Sequence, residues 1–142
     1  MTCSILLVDD SIVARAQVRA ALDGKGARVI EAENGREGLM RARSTTVDLI
    51  LTDVHMPQLD GLSMIVELRK LPQYATTPIF VLTSDAASFR IEEGKKIGVS
   101  AWIIKPVHPE HLWKAVDKAL FGKLTRPSER QQTVDDASDV RK

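Results

Sequence analysis

A chain of 142 residues with 20 basic and 19 acidic side chains, formal net charge +1, is one ordinary domain, long enough for a full core. Its balanced charge shows no footprint for nucleic acid or an anionic membrane. The single cysteine, Cys3, excludes an internal disulfide and fits a reducing, cytoplasmic setting; the apolar run from Ile5 to Val8 is too short for a signal peptide, and no stretch reaches the length of a membrane span.

Ser4 to Val8 reads as a buried strand that ends abruptly at Asp9-Asp10. Ser11 then caps a helix with Ala14, Val18, Ala21 and Leu22 on one face, and Gly24 and Gly26 stop it. Arg28 to Ala32 is a short second strand, and Asn34-Gly35 opens a second helix with Leu39 and Ala42 turned inward. Val47 to Pro57 starts as an almost continuous apolar run, the pattern of a strand buried on both faces. It delivers Asp53 to the strand end, and Pro57 forces a turn. Asp60-Gly61 closes that loop, and a third helix carries Leu62, Ile65, Leu68 and Leu71. Pro72 and Pro78 bracket a connector before a fourth strand, Ile79 to Leu82, which ends at Thr83-Ser84-Asp85. A polar helix covers roughly Ser88 to Ile97, with Gly98 as its stop. Ala101 to Ile104 is the fifth strand, ending at Lys105-Pro106. Pro109 starts a last helix whose Leu112, Ala115, Val116, Ala119 and Leu120 form an apolar stripe.

Strand and helix alternate five times, with every crossover long enough for a parallel connection. The expected fold is α/β, a doubly wound five-stranded parallel sheet with five helices on its two faces. Residues 1–122 form this domain. Residues 123–142 are polar and without apolar period, and are expected to be a disordered tail.

In open parallel sheets ligands bind outside the carboxyl ends of the strands, at the point where strand order reverses. If the order is the flavodoxin-like 2-1-3-4-5, the first and third strands are neighbours at that point. Asp9, Asp10 and Asp53 then crowd one cleft, where like charges call for a cation. Hard carboxylate oxygens with room for water suit Mg²⁺. Lys105 and Thr83, from the next strands out, offer an ammonium and a hydroxyl suited to phosphoryl oxygens. Asp53, the most central acid, would be the nucleophile of an acyl phosphate. Each residue alone has an ordinary reading as a turn, a helix-end charge or a solvated side chain. Four strands sending complementary groups to one edge favour the joint reading.

The motifs Leu-Val-Asp-Asp-Ser (7–11), Thr-Asp-Val-His-Met-Pro-Gln-Leu-Asp-Gly (52–61), Val-Leu-Thr-Ser (81–84) and Trp-Ile-Ile-Lys-Pro (102–106) carry a family resemblance. From about Ser4 to Phe121 the chain resembles the response-regulator receiver domains of two-component signalling, most nearly the stand-alone CheY-like chemotaxis type. The resemblance implies a signalling switch rather than an enzyme, in which Asp53 accepts a phosphoryl group from the phosphohistidine of a sensor histidine kinase. It implies Mg²⁺ bound by Asp10, Asp53 and the backbone carbonyl of His55, with Asp9 acting through water, and Thr83 and Lys105 on the phosphoryl oxygens. It places a cis bond before Pro106 and an aromatic switch residue at Trp102, coupled to Thr83. The His55 side chain and Asp85 would tune access of water to the acyl phosphate. The face of the fourth helix, fifth strand and fifth helix would bind a downstream protein, the chain itself being a monomer or a transient dimer. Trp113 would cover the last helix beside its apolar stripe.

A receiver cut from a longer regulator, or a phosphate sink or shuttle, shares these residues. A phosphohydrolase of the haloacid-dehalogenase type would need an Asp-x-Asp motif after the first strand and a cap; Asp9-Asp10 lacks that spacing, and there is no room for a cap. A flavodoxin would need a hydroxyl- and glycine-rich phosphate loop where Asp9-Asp10 stands.

Overall fold

Five short apolar runs become β1 (Cys3–Val8), β2 (Ala27–Ala32), β3 (Leu49–Thr52), β4 (Ile79–Thr83) and β5 (Ala101–Ile104). All pair in parallel, in the order β2-β1-β3-β4-β5. The helices between and after them are α1 (Ile12–Leu22), α2 (Gly35–Ser44), α3 (Gly61–Arg69), α4 (Ser88–Lys96) and α5 (Pro109–Phe121). In this computed structural model residues 3–56, 58–84 and 88–122 are described. Pro57, Asp85 and the expected tail at 123–142 lie outside the described residues.

Successive side chains of a strand point to opposite faces, and this alternation divides the core in two. Leu6, Val8, Ile50, Val81 and Trp102 face α2, α3 and α4 through Leu39, Ala42, Leu62, Ile65, Leu68 and Ile91. Ile5, Leu7, Leu49, Leu51, Phe80, Leu82 and Ile103 face α1 and α5 through Val18, Ala21, Leu22, Leu112, Ala115 and Val116. Each of the larger fully buried side chains contributes about 1.5–3 kcal/mol by leaving water.

Local signals fix the helix starts. Ser11 Oγ accepts from the Ala14 N–H, Asn34 Oδ1 from that of Glu37 and Asp60 Oδ1 from that of Ser63. Pro109 occupies the first turn of α5. Gly24, Gly26 and Gly98 adopt positive φ at the helix exits, where a side chain would be strained. One expectation fails at Leu71. Helix α3 ends at Arg69, and Leu71 sits in extended backbone (φ −86°, ψ 123°) ahead of a 3₁₀ turn at Pro72–Tyr74. The proline ring that follows disfavours helical backbone at the residue before it. Trp113 is half-buried against the apolar stripe of α5, with Lys25 Nζ 5.9 Å from its ring centroid.

Candidate functional site

The site is built where β1 and β3 run side by side. Val8 pairs with Thr52, so Asp9 and Asp53 are each one step past matching strand ends. The backbone pairing continues across both: the Asp53 N–H donates to the Val8 carbonyl (2.9 Å), and the Asp9 N–H to that of Ala32 (3.1 Å). On the other side Thr83 pairs with Ile104, and the Lys105 N–H donates to the Thr83 carbonyl at 2.8 Å. Three strand ends, those of β1, β3 and β5, thus hold their next residues on hydrogen-bonded backbone.

One ammonium joins the two inner acids. Lys105 Nζ lies 2.8 Å from Asp9 Oδ2 and 3.1 Å from Asp53 Oδ2. Asp9 is fully buried, and its other oxygen accepts from the Ser11 N–H at 3.0 Å. Asp53 is half-buried and its Oδ1 accepts from the Val54 N–H at 2.7 Å. A buried carboxylate is tolerable only when paired and hydrogen-bonded in this way. Burial alone would lower the Lys105 pKa; the hydrogen bond it donates to Asp9 and the charges of Asp53 and Asp9 outweigh it and hold the ammonium above its ordinary 10.5.

Asp10 completes the acidic set. One carboxylate oxygen each from Asp9, Asp10 and Asp53 can lie within 4.8 Å of the others. Asp10 is exposed, at the mouth of the cleft. Three hard anionic oxygens at this spacing, one of them open to water, fit Mg²⁺, which takes a few carboxylates and keeps water ligands.

The other expected residues take distinct places. Thr83 is buried at the end of β4, next to β3, on the sheet face that also carries Val81 and Trp102. The Lys105-Pro106 bond is cis, as the resemblance implied. His55 is exposed, two residues past Asp53. Asp85 lies outside the described residues. Trp102 is not part of the acidic cluster. It is 4% exposed, turned into the core against α4, and its Nε1–H has no hydrogen-bond partner among the described residues.

Three further residues shape the site without having been singled out as such in the sequence. Arg15, on α1, donates from Nη1 to the Asp9 carbonyl at 2.6 Å. Gly61 brings the start of α3 so close to the Asp53 carbonyl that an added Cβ would collide with it. Gly94 opens the space for the Trp102 indole, since a Cβ there would lie 2.5 Å from Cζ2. An isolated glycine in mid-helix was the one available signal for the last of these.

Chemically, the cleft offers a carboxylate nucleophile with one oxygen fixed, a cation beside the other, and an open acidic mouth suited to a divalent ion. A family model for the response regulator receiver domain matches residues 5–117. The chain is 39% identical to the gliding motility regulatory protein of Myxococcus xanthus over 80% of its own length, and spans 15% of that protein. It is 33% identical to protein PilH of Pseudomonas aeruginosa, covering 83% of this chain and 98% of PilH. Among solved structures, Vibrio cholerae chemotaxis protein CheY4 superposes with a TM-score of 0.80 at 37% identity, over 84% of this chain and 100% of that one. The receiver domain of the Pseudomonas aeruginosa sensor histidine kinase PA1611, solved with a magnesium ion coordinated in its active-site cleft, gives 0.78 at 28% identity, over 84% of this chain and 98% of that one.

Proposed function

The chain belongs to the response regulator receiver domain family, and on that premise we propose that Asp53 is its phosphoacceptor, charged by the phosphohistidine of a sensor histidine kinase. The observation that carries this reading is Lys105 Nζ set between Asp9 and Asp53 beside an acidic cluster that closes to within 4.8 Å. Receiver domains are signalling modules that bind Mg²⁺ in an acidic pocket and interact with sensor kinases and downstream targets.

In the proposed reaction an Asp53 carboxylate oxygen attacks phosphorus in line with the histidine nitrogen. The O–P bond forms, the P–N bond breaks, and the nitrogen keeps the electron pair; with the other ring nitrogen protonated, the leaving group is neutral imidazole. Asp53 Oδ1 is held by the Val54 N–H, so Oδ2 is the oxygen that attacks. Its partner Lys105 then turns from the carboxylate to the arriving phosphoryl oxygens, with Asp9 still holding the ammonium. The Thr83 hydroxyl serves the same oxygens from β4. Asp10, Asp53 and the His55 carbonyl would hold Mg²⁺, with Asp9 acting through water, and the ion would supply charge neutralisation for the transfer. The His55 side chain and Asp85 would tune the access of water to the acyl phosphate.

The output proposed is a shift between two arrangements of Thr83 and Trp102, which share one face of the sheet, read by a protein that docks on α4, β5 and α5. Acetyl phosphate or a phosphohistidine donor with Mg²⁺ is expected to add one base-labile phosphoryl group to the full chain. Asp53→Asn abolishes it; equal labelling of that variant refutes the assignment.

A further inference from the structure

Arg15 stands outside the acidic cluster yet grips its backbone. The side chain, 14% exposed, leaves α1 toward β2. Its Nε donates to Glu31 Oε1 at 2.9 Å and its Nη1 to the Asp9 carbonyl at 2.6 Å. Glu31 is itself held from a second side by Arg19 Nη1 at 2.7 Å. A guanidinium is planar and presents its donors in a fixed fork, so anchoring one edge on Glu31 aims the other.

The carbonyl it aims at belongs to the planar peptide between Asp9 and Asp10. Asp9 is fixed by several contacts: its N–H on Ala32, one carboxylate oxygen on the Ser11 N–H, the other on Lys105. Asp10 is different. Its carboxylate is exposed, and among the described residues no hydrogen bond or ion pair holds it. The direction of the Asp10 carboxylate therefore depends on the backbone it leaves from, and Arg15 sets the plane of that backbone.

We propose that Arg15 is a positioning residue for the metal, raising the affinity of the cleft for Mg²⁺ by fixing the Asp9–Asp10 peptide. The proposal rests on the reading of the acidic cluster as a Mg²⁺ site. Two effects of Arg15 oppose one another. As a cation near a cation site it disfavours Mg²⁺ by simple Coulomb repulsion. As the orienter of a ligand-bearing peptide it favours Mg²⁺, and partners that orient metal ligands typically carry about 10–100-fold in affinity. Removing it tells them apart by sign.

The experiment is a Mg²⁺ titration of the full chain followed by two-dimensional amide NMR, with the peaks of Asp10 and Ser11 as reporters and spectral dispersion as the check on folding. Arg15→Gln is expected to weaken Mg²⁺ binding about tenfold or more. Arg15→Lys, which keeps the charge and loses the fork, weakens it in the same direction. Arg19→Gln removes an equal charge from the same glutamate without touching Asp9, and keeps wild-type affinity. In phosphorylation from acetyl phosphate, the half-saturating Mg²⁺ rises in Arg15→Gln while the rate at saturating Mg²⁺ stays near wild type. Wild-type or tighter Mg²⁺ binding by Arg15→Gln, or wild-type binding by Arg15→Lys, overturns the proposal. An Arg19→Gln loss equal to that of Arg15→Gln also overturns it, as a general effect of the Glu31 pairs. If Arg15→Gln does not fold, Arg15→Lys and Glu31→Gln decide, the latter expected to weaken Mg²⁺ by freeing the anchored edge. Wild-type protein that takes up no Mg²⁺ overturns the reading of the acidic cluster itself, a result distinct from any difference among the variants.

Discussion

Lys105 carries the electrostatics of the cleft at the scale of single residues. Asp9 is fully buried and Asp53 half-buried, and one ammonium serves both. Replacing it in Lys105→Met leaves the acids facing each other with only backbone N–H partners. Stripping one partner from a fully buried ion pair costs about 3–5 kcal/mol. Here the lysine side chain is 22% exposed, so solvent screening reduces the expected loss to about 2 kcal/mol. The pH dependence follows from the direction of the shift. A base whose pKa is raised by folding contributes stability fully below its unfolded value, and loses it as pH climbs through the folded one. Lys105 is raised above 10.5. The stability difference between wild type and Lys105→Met in urea is therefore expected to be constant from neutral pH to about 9, and to shrink above 10.5. A difference that instead grows in alkali contradicts the pairing.

Among elements, α4 and β5 are fitted to each other through one missing side chain. Gly94 is buried, and a Cβ there would lie 2.5 Å from Trp102 Cζ2 and 3.1 Å from Cε2. Gly94→Ala gains about 1 kcal/mol in helix propensity but overpacks the indole by about 1–3 kcal/mol. The net expectation is mild destabilisation with the ring displaced toward water. In a Trp113→Phe background, which removes the other tryptophan, Trp102 emission is expected to shift to longer wavelength; an unshifted spectrum shows that the ring stays inward. This fit also marks where sequence reading stops. The five strands, the caps at Ser11, Asn34 and Asp60, and Pro109 at the start of α5 are written in neighbouring residues, so they were legible. So were Asp9, Asp10, Asp53, Thr83 and Lys105, because each stands within two residues of the end of an apolar run. Strand order was not, since it depends on which run lies beside which, and it entered as an assumption. Leu71 fits the helical spacing and is excluded only by the backbone restriction before Pro72. Arg15, Gly61 and Gly94 act on partners distant in the chain or on bare backbone. Tyr74 belongs with them: it is fully buried, with its hydroxyl 2.5 Å from the Ala42 carbonyl and 3.0 Å from that of Thr45. Apart from the isolated mid-helix glycine at position 94, no local pattern announces such contacts.

On the scale of the whole molecule, a two-sided apolar core supports an edge that works against its own stability. Asp9, Asp10 and Asp53 can approach within 4.8 Å, while the single ammonium serves only the inner two. Asp10 therefore repels its neighbours and receives no hydrogen bond among the described residues in return. Active sites commonly hold strain of this sort against global stability. Two opposite consequences are expected of Asp10→Asn. Without divalent metal, in EDTA, the variant is more stable than wild type, by about 0.5–1 kcal/mol for an exposed charge. With Mg²⁺ the order reverses. An ion that binds only the folded state stabilises wild type by about 2.7 kcal/mol at a hundred times its dissociation constant, and the variant, having lost a carboxylate ligand, gains little. Thermal unfolding of both proteins across a Mg²⁺ series is expected to give curves that cross. The crossing separates a metal site from a merely acidic patch, because charge relief alone keeps Asp10→Asn above wild type at every Mg²⁺ concentration.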